Sequence, residues 1–127
     1  MGRPQRPLSP HLEIYRFSLT MALSILHRIT GVGLYFGTVL LAWWLIAAAF
    51  DQARLDLVYL VMGSWPGQLV MLGFVWALFQ HMLGGIKHFV WDVGAALEPD
   101  QRRGISWFTI IGALVLTALT WALFVLV

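Results

Sequence analysis

Long apolar runs alternate with short polar ones along this chain. No Asp, Glu, Lys or Arg interrupts residues 29–50, 57–86 or 104–127, and each run reaches the ~20 residues an α-helix needs to cross a bilayer. The pattern predicts an all-α membrane protein with three transmembrane helices, at about residues 22–50, 66–91 and 104–127. Residues 1–20 contain Pro4, Pro7 and Pro10 and are expected to form an extended peripheral segment, because each proline disfavours helix at and before its own position. Residues 21–127 then make up the membrane domain. The first helix is expected to begin at Ser18 or Thr20, both suited to an N-cap. Asp51-Gln52-Ala53-Arg54-Leu55-Asp56 reads as a short polar loop, with residues 57–62 as an interfacial segment. Gly63-Ser64-Trp65-Pro66-Gly67 punctuates the long middle run, so the second helix should start near Pro66. Glu98-Pro99-Asp100 is expected to break the helical path before a third helix that starts near Gly104.

Composition strengthens the membrane assignment. The 127 residues are 60% hydrophobic and 11% charged, against a soluble-domain norm of roughly 25% charged. The first apolar run is too long, and starts too late, for a signal peptide. Arg6 stands where an N-myristoylation signal requires Ser or Thr. Cysteine is absent, which excludes disulfides, cysteine-held zinc and iron–sulfur clusters within this chain. The net charge of +2 does not point to nucleic acid, because the basic residues flank the apolar runs and form no stripe. Arg3, Arg6, Arg16 and Arg28 precede or open the first span and Lys87, Arg102 and Arg103 lie between the second and third, with Arg54 alone in the other loop. The positive-inside rule therefore places the N-terminus and the second loop in the cytoplasm. Trp43, Trp44, Trp65, Trp91 and Trp107 fall near span ends, as an interfacial aromatic belt does. No nucleotide-binding glycine loop, zinc-protease motif or Ser-His-Asp arrangement is present.

Within the middle run His81 is the only side chain that titrates near neutrality. A polar side chain at membrane depth needs a partner or a cavity. One reading is an interhelical hydrogen bond, worth about 0.6–2 kcal/mol. The other is a metal, and Gly84 and Gly85 one turn on remove bulk in the way a flat macrocycle such as haem would require. The same glycines suit close approach of another helix. His88 stands seven residues beyond His81, about 10 Å along a helix at about 1.5 Å per residue, and cannot share its iron. It lies where the carboxylate tails of a porphyrin held at His81 would reach, at a level shared with His27, Arg28 and Lys87. Lys87 fits equally as an anchor for anionic lipid head groups.

His81, Gly85, His88 and Asp92 form one helical stripe. Asp92, at its cytoplasmic end, suits a salt bridge with Lys87, Arg28 or another subunit, or a part in proton delivery. On the first helix Ser24 is one turn from both His27 and Arg28. A hydroxyl and a guanidinium in that arrangement could bind a quinone carbonyl.

Arg6-Pro7-Leu8-Ser9-Pro10-His11-Leu12, Ser24-Ile25-Leu26-His27-Arg28-Ile29-Thr30-Gly31 and the block from His81 through Asp92-Val93-Gly94 together resemble the cytochrome b membrane-anchor subunit of succinate dehydrogenase. The resemblance covers nearly the whole chain. It implies three helices joined in a larger bundle with a second small membrane-anchor subunit, which carries a flavoprotein and an iron–sulfur subunit. It implies that His81 is an axial ligand of haem b, the second ligand coming from the other anchor subunit. It further implies quinone binding at Ser24 and Arg28, with His27, Arg28 and His88 near the haem propionates, and reduction of ubiquinone by electrons taken from succinate. The motif begins at residue 6 with no transit peptide before it, which favours a bacterial inner membrane. A fumarate reductase-type anchor, or a non-redox scaffold whose polar stripes pack helices or bind lipid, are the competing expectations.

Overall fold

The computed structural model describes residues 16–126, with side chains described to residue 124. The segment carrying Pro4, Pro7, Pro10 and His11, and with it the first of the three blocks, lies outside the described residues. Four helices follow one another: α1 (Leu19–Phe50), α2 (Gln52–Gly63), α3 (Trp65–Asp92) and α4 (Pro99–Leu126). Of these, α1, α3 and α4 are long and apolar enough to cross a membrane, and among the described residues there is no strand. The chain is an all-α membrane protein.

Helix ends are set by side chains at the expected kinds of position. Ser18 is the N-cap of α1, its hydroxyl accepting from the Met21 N–H at 3.4 Å. Asp51 both ends α1 and caps α2, accepting from the Arg54 N–H at 2.9 Å and pairing with Arg54 Nε at 3.1 Å. The polar run after Asp51 is therefore helical rather than a loop. Gln52 Nε2 donates to Asp56 one turn on, at 2.8 Å, so side chains that look like loop composition instead support each other along a helix. Ser64 repeats the device, ending α2 and capping α3.

The α3 C-terminus closes in a Schellman motif: the Ala95 N–H donates to the Val90 carbonyl at 3.1 Å and the Gly94 N–H to the Trp91 carbonyl at 2.9 Å. Gly94 carries the positive φ, 78°, that this motif requires. The helical path breaks over residues 93–98, and Pro99 opens α4 ahead of the expected start near Gly104. A proline in the first turn loses no hydrogen bond, and the Arg102 N–H closes that turn on the Glu98 carbonyl at 2.8 Å.

α3 packs against the other three helices, and α1 also meets α4. The bundle has little apolar core of its own. Phe36, Phe89 and Phe108 are each more than 60% exposed, as side chains facing lipid or partner helices are. Beside a few larger apolar side chains such as Leu23, Val58 and Leu83, much of what is buried is small or polar: Thr30, Gly84 and Ala113, and the α4 face formed by Ser106, Thr109 and Thr117. Lipid chains are as apolar as leucine, so membrane helices associate through small residues that permit close contact and through hydrogen bonds.

Candidate functional site

The α1–α3 contact is an exchange of imidazoles for glycines. His81 of α3 lies over Gly31 of α1, where an added Cβ would stand 3.0 Å from His81 Cε1. His27 of α1 lies over Gly84 of α3, where an added Cβ would stand 2.6 Å from His27 Cδ2. The two imidazoles stack, their centroids 4.0 Å apart and their planes at 15°. Gly84 thus makes room for a neighbouring helix, and the ring that fills the space is His27. The His27 ring lies at the level of His81.

One hydrogen-bond set determines the form of the His81 ring. Its Nδ1 is 3.1 Å from the His27 backbone carbonyl oxygen and 3.3 Å from Thr30 Oγ1. A carbonyl oxygen only accepts, so Nδ1 carries the proton and Nε2 carries the lone pair. The Thr30 hydroxyl donates to the carbonyl of Leu26 or His27, at 2.9 and 3.0 Å, leaving a lone pair on Oγ1 to accept from Nδ1. His81 Nε2 makes no hydrogen bond among the described residues and is not among the buried polar atoms left unpaired. An imidazole held by a carbonyl at one nitrogen and free at the other is the form that ligates a metal.

From His81 a series of side chains leads toward the C-terminal end of α3. His88 meets the His27 ring edge-on at 5.2 Å, Trp91 meets His88 at 5.5 Å, and Lys87 Nζ lies 4.7 Å from the centre of the Trp91 ring. His27 Nε2, which faces Gly84 and Gly85, is buried with no hydrogen-bond partner among the described residues. Among the described residues no three His, Cys, Asp or Glu side chains converge as a metal site. A metal at His81 would therefore take its other donors from elsewhere.

The remaining candidates are placed less closely together. Ser24 is half-buried and Arg28 exposed on α1, one turn apart, and neither forms an ion pair or side-chain hydrogen bond among the described residues. Asp92 is exposed at the end of α3, and within the described residues it pairs with neither Lys87 nor Arg28. Lys87 departs from the lipid-anchor reading, being 1% exposed and packed on Trp91. Trp91 is likewise half-buried against Lys87 and His88, whereas Trp65 is 74% exposed. A roughly 430 Å³ apolar cleft lies between α1, α2 and α3, lined among others by Leu40, Trp44, Val58, Met62 and Phe74. These positions are toward the end of α1 opposite Ser24 and Arg28, so the cleft is not their pocket.

Sequence reasoning did not single out Thr30. A threonine within a helix is ordinarily read as bonding back to its own preceding turn, and Thr30 does so. Its second contact crosses 51 residues of sequence to His81, and no local pattern carries that.

Residues 2–124 match the family described as the succinate dehydrogenase/fumarate reductase transmembrane subunit. The chain belongs to this family. It is 41% identical over 124 residues to the succinate dehydrogenase cytochrome b556 subunit of Paracoccus denitrificans, covering 98% of this chain and 95% of that one. To the cytochrome b556 subunit of Rickettsia felis it is 37% identical over 92% of this chain and 91% of the relative. To the mitochondrial cytochrome b560 subunit of Mus musculus it is 36% identical over 91% of this chain and 67% of the relative. As a family member it is a membrane-anchor subunit of an electron-transport enzyme of the succinate dehydrogenase/fumarate reductase kind and works in association with that enzyme's other subunits. Its three spans and its bacterial relatives make it a multi-pass protein of the bacterial inner membrane.

Proposed function

We propose that this chain is the haem b-binding anchor of a succinate dehydrogenase, with His81 Nε2 as one axial ligand and the second ligand supplied by a second small membrane-anchor subunit. The observation that carries the reading is the His81 hydrogen-bond set, in which Nδ1–H is held by the His27 carbonyl and Nε2 is left with its lone pair. The residues fit the group in a second respect. His88, half-buried beside the His27 ring, is suited to a carboxylate tail. Haem, when bound here, supplies a one-electron carrier within the bilayer.

The chain's own residues then divide the work. The α1–α3 contact holds the His81 imidazole in one plane and one tautomer. Ser24 and Arg28 hold ubiquinone from the cytoplasmic side, the hydroxyl donating to a carbonyl oxygen and the guanidinium favouring negative charge that develops on it. Asp92 lies at the same interface, where it can pair with a cation of another subunit or take part in moving protons. The flavoprotein and iron–sulfur subunits oxidise succinate and deliver electrons, in keeping with a chain that has no cysteine of its own. The relatives named as succinate dehydrogenase subunits favour that enzyme over a fumarate reductase-type anchor.

The test is to purify the chain with its native partners and measure haem content and succinate:quinone reductase activity on the same preparation. A low-spin b-type haem together with quinone reduction is expected. A fully assembled, active complex without haem b would overturn the reading.

A further inference from the structure

We infer that Thr30 is a positioning residue for the His81 imidazole and thereby sets the reduction potential of the group that His81 holds. The inference rests on the proposed ligand role of His81. It begins from a buried hydroxyl with one contact, to His81, that the local helix does not explain. Thr30 is 2% exposed, and its Oγ1 is within reach of three groups: the Leu26 carbonyl at 2.9 Å, the His27 carbonyl at 3.0 Å and His81 Nδ1 at 3.3 Å.

The direction of each hydrogen bond follows from counting donors and acceptors. The His27 carbonyl faces the Thr30 hydroxyl and the His81 Nδ1–H at 3.0 and 3.1 Å, besides its ordinary partner in the helix, the N–H four residues on. That is more donors than its two lone pairs serve. The Leu26 carbonyl takes no such cross-helix donor, so the Thr30 proton is best placed there. Oγ1 then presents a lone pair to Nδ1–H, which is shared between the Thr30 oxygen and the His27 carbonyl. The ring is thus held at Nδ1 by two acceptors that bracket its N–H, which resists rotation about the axis toward the metal. The His27 ring stacked at 4.0 Å limits movement on one face, and Gly31 admits the ring to within 3.0 Å of where a Cβ would be.

Acceptors at Nδ1–H raise the electron density of an imidazole and strengthen it as a ligand. A stronger donor favours the oxidised, more positively charged iron. Removing the Thr30 oxygen should therefore weaken that preference and raise the midpoint potential of the haem. It should also loosen the ring's orientation, which low-temperature EPR of a low-spin ferric haem reports through its g-values.

The experiment compares wild type, Thr30→Val, Thr30→Ala and Thr30→Ser in the purified complex by redox titration and EPR. Valine keeps the buried shape and removes the oxygen; alanine removes the oxygen and relieves any fault in valine's packing; serine keeps the oxygen and removes the methyl. An upward shift of midpoint potential in the valine and alanine variants, with altered g-values, and a wild-type potential in serine, is expected. No shift in the valine and alanine variants, or an equal shift in serine, would overturn the inference while leaving His81 as ligand. Failure of the underlying reading has a different signature, an undiminished haem spectrum in His81→Ala.

Discussion

His81 Nδ1 lies 3.1 Å from the backbone carbonyl oxygen of His27. The contact spans two helices and uses a carbonyl that cannot be changed by mutation of the His27 side chain. The orientation of His81 therefore depends on how closely α1 approaches α3, and that approach depends on the paired glycines.

Gly84→Leu should disrupt this contact, because even the first side-chain carbon would stand 2.6 Å from His27 Cδ2. Overpacking of this kind costs typically about 1–3 kcal/mol. Thermal inactivation of the purified complex, followed together with haem loss, should show a lowered midpoint. Gly33 has nothing within 4 Å of an added Cβ, so Gly33→Ala serves as the control and should be neutral or mildly stabilising. The double variant His27→Ala, Gly84→Ala should recover part of the stability lost by Gly84→Ala alone, since the two positions share one space.

Much of the fold was legible because its signals are local and repeated. Charge-free runs marked the spans, Ser18 marked a helix start, and the stripe of His81, Gly85 and His88 marked a face. The polar run 51–56 misled because Gln, Arg and Asp suit both a loop and a capped helix, and only the Asp51 cap and the Gln52–Asp56 hydrogen bond decide between them. Glu98-Pro99 did mark the break before the third span, and only its start moved, from near Gly104 to Pro99, because proline suits the first turn of a helix. At the site, the choice of His81 came from the sequence. Its contacts with Thr30, His27 and Gly31 did not, because they depend on the rotation of two helices about their axes.

Lys87 is buried without an acid partner among the described residues. A buried cation is costly, and replacing it with an apolar residue of similar shape is often neutral or stabilising, by about 1–4 kcal/mol for buried ion pairs. Lys87→Met should therefore assemble normally and resist heat at least as well as wild type, whereas Lys87→Glu should assemble poorly. Subunit stoichiometry by size-exclusion chromatography and the inactivation temperature distinguish the two.

Arg28 is exposed on the same helical face as Ser24. Arg28→Leu should lower quinone reductase activity by at least ~10-fold, the effect of losing about 1.4 kcal/mol of charge-assisted hydrogen bonding. Succinate oxidation with a soluble electron acceptor should persist in that variant. Parallel assays on one preparation separate loss of quinone binding from failed assembly, in which both activities fall together.

The ligand role of His81 is tested most directly by the reduced-minus-oxidised absorption spectrum of the purified complex carrying His81→Ala. The low-spin b-type bands should be lost or strongly weakened relative to wild type at equal subunit content. Bands of full wild-type amplitude would show that the iron is held elsewhere.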